Sequence, residues 1–389
     1  MGPPRGDWPE EKLVGVVRRS SLLVGGLTAA ACSSHVLYPA WLAWASSRTE
    51  GNPTVPPETS SWPPVTVLIP AYREARVIGA KVEDVRQNGY PGELEILVVV
   101  DGDPETADAA NRAGVRVLSG ADRTGKSDAL NRGFMEINTP VVVISDANNQ
   151  LAPGGLAALV RHFQDPTVGA VTGEKCEQDG GGESMYWRFE SWLKKRESML
   201  GTTIALVGEF TAFRREAWRP IPEDVAIDDI WAALDLSERG WRIVYEPEAV
   251  AIDPPAPSLS EQWERRTRNV SGALFIFARR RHQLGPSGGL VAAEVWGHRL
   301  GRYTVSPLAH LLLVGLALRR LRTSRVARLF LFGHGVGLWG LFRPPPAGRW
   351  WRPLVVMGSQ VLFLQGVALG GSVRYLRGER RVAWTKAER

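Results

Sequence analysis

The chain has 389 residues, 44% of them hydrophobic, and a net charge of +6 from 47 Lys plus Arg against 41 Asp plus Glu. Two cysteines, Cys32 and Cys176, and six histidines without ligand spacing exclude a disulfide framework and a zinc site. No stripe of basic and aromatic residues recurs in the middle of the chain, which argues against nucleic-acid binding.

In chain order, residues 20–47 come first and carry no Asp, Glu, Lys or Arg. That run is long enough to cross a bilayer. It exceeds the apolar stretch of a secretory signal, and Tyr38, Trp41 and Trp44 near its end suit a membrane interface. Residues 1–47 are therefore expected to hold one transmembrane helix. Residues 48–64 are polar and Pro-rich and read as a linker.

The middle of the chain alternates apolar strands with helical stretches. Strands are expected at 65–70 (VTVLIP), 94–100 (LEILVVV), 115–119 (VRVLS), 141–145 (VVVIS) and 168–173 (VGAVTG). Helices are expected at 76–87, 106–113, 126–137 and 156–163. Near-continuous Val/Ile runs mean strands covered on both faces. The alternation predicts a doubly wound, mostly parallel α/β sheet. Ligands gather at the C-terminal ends of such strands, where Asp101 and Asp146 fall. Aspartate is also a common turn and cap residue.

Beyond residue 285, apolar runs at 303–318, 329–342 and 353–373 read as about three transmembrane segments, the first two short. Residues 290–302 suit an interfacial amphipathic helix. Arg319, Arg320, Arg322, Arg325 and Arg328 lie between two of these runs, and a basic tail covers 377–389. Basic residues beside apolar runs read as lipid headgroup contacts.

Residues 120–127 (GADRTGKS) match the phosphate-loop pattern Gly-x-x-x-x-Gly-Lys-Ser between a strand and a helix. A P-loop ATPase is thus one reading. Against it, the loop follows the third strand, and only one helix separates it from the strand that would hold the magnesium aspartate.

A second reading absorbs the same residues. The strings VTVLIPAYRE, LEILVVVDGDPETAD, GKSDALNRG, VVVISDANNQL, VGAVTGE, GEFTAFRREAW, AIDDIWAALDLSERGWRIVYEPEAVA and EQWERRTR run in order from residue 65 to 268. In that order they resemble the family 2 glycosyltransferases, with their GT-A nucleotide-sugar fold and membrane helices at both ends. The resemblance implies a transferase domain over 65–285, followed by membrane segments over 286–376. It implies a nucleotide-sugar donor, a saccharide or lipid-linked acceptor, and a Mg²⁺ or Mn²⁺ ion. The protein would then be a multi-pass protein of the cell (inner) membrane, with its catalytic domain in the cytoplasm beside the donor. With three C-terminal crossings, that topology sets the 319–328 arginines outside, against the positive-inside tendency.

Residue by residue, the resemblance places Pro70, Ala71 and Glu74 beside the base and ribose, with Asp101 accepting a hydrogen bond from one of them. Lys126 faces the donor phosphates. Asp146 and Asn148 stand at the metal position. Asp229, paired with Asp228, is the general base, and direct displacement inverts the anomeric configuration. Arg265, Arg266 and Arg268 contact the diphosphate or acceptor, for which a guanidinium fork is suited. Gly208 and Arg214 border the acceptor. The residues alone leave other roles open: Asp228 and Asp229 as caps of a helix starting at Ile230, the arginines as a lipid-facing patch, and Trp187, Phe189, Trp192 and Leu193 as a helix packing inward.

Three positions depart from the family pattern. Asn148 stands where a second metal carboxylate is usual, Arg73 where asparagine is common, and Arg266 where processive synthases carry tryptophan. They keep a non-catalytic, membrane-anchored scaffold among the readings and put processivity in question.

Overall fold

The computed structural model describes residues 10–49, 61–120, 122–177, 182–254, 258–346 and 348–379. Most of the expected linker (50–60) and the tail from residue 380 lie outside the described residues. The chain divides into two compact units, residues 40–296 with 370–389 and residues 1–39 with 297–369.

The larger unit is built on one eight-stranded sheet. Its strands are β1 (Val65–Ala71), β2 (Leu94–Asp101), β3 (Arg116–Gly120), β4 (Val141–Ser145), β5 (Gln150–Leu151), β6 (Val168–Glu177), β7 (Phe210–Arg214) and β8 (Arg242–Asp253). The order across the sheet is β3-β2-β1-β4-β7-β6-β8-β5. β1 pairs in parallel with β2 and β4, and β2 with β3. Those strands are the Val/Ile runs, and every residue of β1 and β4 is buried, as two-sided burial requires.

The second half departs from simple alternation. β7 runs antiparallel between β4 and β6, while β6 and β8 pair in parallel. The sheet is therefore mixed, with parallel pairings in the majority. The reversal brings the start of β7 beside the end of β4, pairing Phe210 with Ser145. Residues 206–209 thereby meet Asp146 at one edge of the sheet.

Helix Lys126–Glu136 lies on β1 and β2. Gly133 makes this possible, because a Cβ there would stand 2.5 Å from Leu68 Cδ1. The same helix holds the segment before Asp228. Ser127 Oγ donates to the Val225 carbonyl at 3.1 Å, and the Asn131 amide exchanges two hydrogen bonds with the backbone of Ile221.

Among the described residues, two helices are long and apolar enough to cross a membrane, Ser21–Ser46 and Arg352–Leu376. Pro286–Tyr303 and Val305–Arg319, bent by 41° at their junction, qualify only as a joined pair. Helix Arg325–Phe342 covers the 329–342 run, so of the three expected C-terminal segments one qualifies alone. Large apolar side chains point outward along these helices, as with Leu312 at 61% and Phe332 at 71% exposure.

Candidate active site

Asp146 follows the last residue of β4. Its backbone N–H donates to the Glu209 carbonyl at 3.2 Å, and its Oδ1 accepts from Lys126 Nζ at 2.8 Å. The same ammonium donates to the Gly208 carbonyl at 3.2 Å and lies 4.0 Å from Asp228 Oδ2. One cation thus sits among oxygens from three segments of the chain. Burial would lower the Lys126 pKa, but the charges of Asp146 and then Asp228 win and raise it, so the lysine stays protonated. Burial raises the Asp146 pKa against the pull of Lys126, with the Glu209 charge adding to the rise.

Asp228 and Asp229 are the first two residues of helix Asp228–Glu238, whose N-cap is Ile227. The helix begins two residues before the Ile230 start of the capping alternative, and its N-cap residue, Ile227, makes no side-chain capping bond. Both carboxylates stand in the first turn, where the helix dipole favours negative charge. Asp229 Oδ1 accepts the Ile230 N–H at 2.7 Å. A Cβ added to Gly208 would lie 3.9 Å from Asp229 Oδ2 and 3.8 Å from Lys126 Nζ. Gly208, Asp228 and Asp229 line one pocket with Leu206, Thr211 and Trp218.

Asp101 is fully buried, and its oxygens accept from Thr124 N at 2.7 Å, Thr124 Oγ1 at 3.1 Å and Gly125 N at 2.9 Å. Its carboxylate clamps the loop before Lys126. The same contacts count against a phosphate loop. The N–H groups of Thr124 and Gly125, which would cradle phosphate in a P-loop, are given to a carboxylate. Ala121, in that loop, lies outside the described residues.

At the end of β1, Pro70 and Ala71 are buried. Glu74 is 5% exposed, and its N–H donates to Thr106 Oγ1 at 2.8 Å. Between them Arg73 adopts φ +54°. That left-handed conformation is one asparagine tolerates more readily than arginine.

Of Arg265, Arg266 and Arg268 on helix Leu259–Arg279, two lie within electrostatic reach of the acidic cluster. The charge of Arg265 acts on Lys175 and Glu209, and Asp228 acts on Arg268. Arg266 instead places its guanidinium 4.7 Å from the centre of the Tyr186 ring. Arg214 is a correction. It pairs with Val141 at the opposite end of β4, and its guanidinium donates to the carbonyls of Val168, Phe163 and Asp165. Four residues of strand, about 13 Å, separate it from the Asp146 edge. Its work is tying loops to the sheet, because three carbonyls use its donors.

Two lysines absent from the sequence reading complete the site. Lys175, with a side chain 1% exposed, lies 2.5 Å from both Glu209 Oε1 and Asp253 Oδ2. Burial would raise the Glu209 pKa, but Lys175 overrides it and holds it at about 2. Asp253 goes the other way, to about 6, through burial and then the Glu209 charge. Lys81 donates to Asp84 and to both the backbone and side-chain oxygens of Asn149. Asn149 Nδ2 donates in turn to the Glu209 carbonyl at 2.9 Å, fixing the turn that carries Asp146 and Asn148. Both signals were readable. Lys81 shares the i, i+3, i+4, i+7 face of Ile78, Val82 and Val85, and Lys175 interrupts a buried strand.

These residues fit a divalent cation. Asp146 Oδ1, the Gly208 carbonyl and Asp228 Oδ2 already surround one positive charge, and all are hard oxygen donors. Among the described residues no cluster of three or more His, Cys, Asp or Glu side chains gathers to hold a metal by itself. Such a site takes a small cation through one or two carboxylates together with substrate phosphate oxygens.

Comparison with known proteins bears on the family and the fold. The model of glycosyltransferase-like family 2 matches residues 63–272. Poly-beta-1,6-N-acetyl-D-glucosamine synthase of Staphylococcus aureus is 25% identical over 230 residues, covering 55% of this chain and 56% of that protein. The Staphylococcus epidermidis protein of that name is 23% identical over the same length. The chain thus spans about half the length of the curated relatives it matches. A solved mannosyltransferase of Pyrobaculum calidifontis, in complex with GDP-Man and Mn²⁺, superposes with a TM-score of 0.71 at 25% identity, over 92% of this chain and 99% of that one. The fold is GT-A, and the catalytic class is glycosyl transfer. The chain belongs to glycosyltransferase-like family 2.

Proposed function

We propose that the protein is a membrane-anchored, inverting glycosyltransferase that moves a sugar from a nucleotide-sugar to a saccharide or lipid-linked acceptor in cell-surface polysaccharide or glycolipid synthesis. The observation that carries this reading is the meeting of Lys126, Asp146, Gly208, Asp228 and Asp229 at the C-terminal edge of one sheet, faced by Arg265 and Arg268. The solved mannosyltransferase with GDP-Man and Mn²⁺ lends weight to the donor and metal class. The polysaccharide synthase relatives lend weight to the acceptor class.

In this reading Asp229 accepts the proton of the acceptor hydroxyl. That oxygen attacks the anomeric carbon, the bond to the diphosphate oxygen breaks, and the nucleoside diphosphate leaves with the bonding electrons. The configuration inverts once. Asp146, with Asn148 and Asp228 beside it, would hold Mg²⁺ or Mn²⁺, whose charge offsets that of the leaving diphosphate. Lys126, Arg265 and Arg268 supply fixed positive charge for the same group. Helices Ser21–Ser46 and Arg352–Leu376 anchor the chain in a multi-pass arrangement, with the larger unit in the cytoplasm.

The test is turnover of labelled nucleotide-sugars by purified membranes, with GDP-mannose and UDP-N-acetylglucosamine in the panel. Metal-dependent transfer or hydrolysis of one donor is expected. ATP hydrolysis that Lys126→Ala abolishes, with no donor used, would overturn the reading.

A further inference from the structure

The ammonium of Lys126 occupies the place where a metal would find its oxygens. It lies 2.8 Å from Asp146 Oδ1, 3.2 Å from the Gly208 carbonyl and 4.0 Å from Asp228 Oδ2. A second cation on these partners is disfavoured, because its repulsion from the ammonium is only weakly screened in a half-buried cleft. Nor is the lysine loosely held. It is the first residue of helix Lys126–Glu136, the loop before it is clamped by Asp101, and the next residue is bonded to Val225.

Asn148 sharpens the competition. It stands where a second carboxylate would strengthen the hold on a divalent ion, and an amide oxygen carries no net charge. The donor-free site therefore has a resident monovalent cation and a weakened set of metal ligands. A diphosphate changes both terms. It brings oxygens for the metal and gives the ammonium a new anionic partner.

We infer that Lys126 is a metal gatekeeper, which keeps free divalent cations off Asp146 until a nucleoside diphosphate group arrives and draws the ammonium onto its phosphates. Metal and donor then load together, and metal alone binds poorly. The inference rests on reading the cleft as the donor site, and it adds a binding order set by one side chain.

The test is titration of free Mn²⁺ by electron paramagnetic resonance with the purified full-length chain, alone and with saturating GDP or UDP. For the native chain, Mn²⁺ binding is expected to tighten at least tenfold when one of the nucleotides is present. In Lys126→Met, nucleotide-free Mn²⁺ binding should tighten at least tenfold over the native chain, and the gain from nucleotide should shrink. Lys126→Arg keeps a cation in place and should retain weak nucleotide-free binding. Asp146→Asn should abolish Mn²⁺ binding in both states, leaving the free-ion signal undiminished. If Lys126→Met fails to fold, Lys126→Gln carries the same expectation.

Unchanged nucleotide-free binding in the folded neutral variant, alongside nucleotide-dependent binding in the native chain, overturns the gate and leaves the donor site standing. Absence of any nucleotide-dependent Mn²⁺ binding in the native chain overturns both.

Discussion

Asp229 Oδ2 lies within 3.9 Å of where a Cβ of Gly208 would stand, so the bare backbone at 208 leaves the carboxylate facing the pocket. In the proposed mechanism Asp229 takes the proton of a hydroxyl entering over Gly208. In Asp229→Asn, transfer is expected to fall by at least about 10²-fold while donor affinity stays within a few-fold. Steady-state turnover set beside calorimetric binding of the donor checks this. A parallel loss of binding would reassign Asp229 to holding the donor.

Asp101 acts on the site through the loop it clamps. Asp101→Asn puts an amide group where an N–H donor needs an acceptor, at a cost of about 1–3 kcal/mol. Thermal unfolding should show a lower Tm, and transfer should fall because the start of the Lys126 helix loosens. Were Asp101 instead a direct contact to the base, the variant would lose nucleotide affinity with Tm unchanged.

Lys175 pairs with two carboxylates, those of the partly buried Glu209 and the buried Asp253. Lys175→Met leaves both without their cation and is expected to destabilise the transferase unit by about 3–5 kcal/mol. The triple variant Lys175→Met, Glu209→Gln, Asp253→Asn should recover part of that loss, because no charge is then stranded. Denaturant unfolding of the three proteins compares them, and equal stability of single and triple variants would contradict the account.

Asp253 also sets a pH dependence. Its pKa is raised from 3.8 to about 6, by burial first and then by the Glu209 charge. The folded state therefore keeps a proton that the unfolded chain releases. Its contribution to stability is fully present below 3.8 and is lost as pH rises through about 6. Asp253→Asn removes this dependence, so the variant should gain on the native protein between pH 4 and 7, by on the order of 1–3 kcal/mol. A difference between the two that stays constant with pH would remove Asp253 from this role.

How far the sequence carried the reading differs between the two halves of the sheet. The buried runs of β1, β2 and β4 announced themselves as Val/Ile strands, and their parallel order followed from the helices between them. The insertion of β7 between β4 and β6 did not, because pairing across some 65 residues leaves no trace in local periodicity. In the site, Asp146, Gly208 and Asp228 were legible through the family resemblance, and their meeting at Lys126 is seen in the fold. Asp101 and Arg214 share one ambiguity. A charged residue at a strand end looks the same in sequence whether it faces a ligand or its own backbone. Lys175 and Lys81 went unread although each interrupts an apolar face, the pattern a buried ion pair leaves.

The central claim is that Asp146, with a divalent ion, forms the donor site. It is tested most directly by calorimetric titration of the purified protein with GDP-mannose and UDP-N-acetylglucosamine, each with and without Mn²⁺, for the native chain and Asp146→Ala. The account predicts that one donor binds only with Mn²⁺ present and that the variant loses this binding. Equal donor binding with and without metal, undiminished in Asp146→Ala, would contradict it.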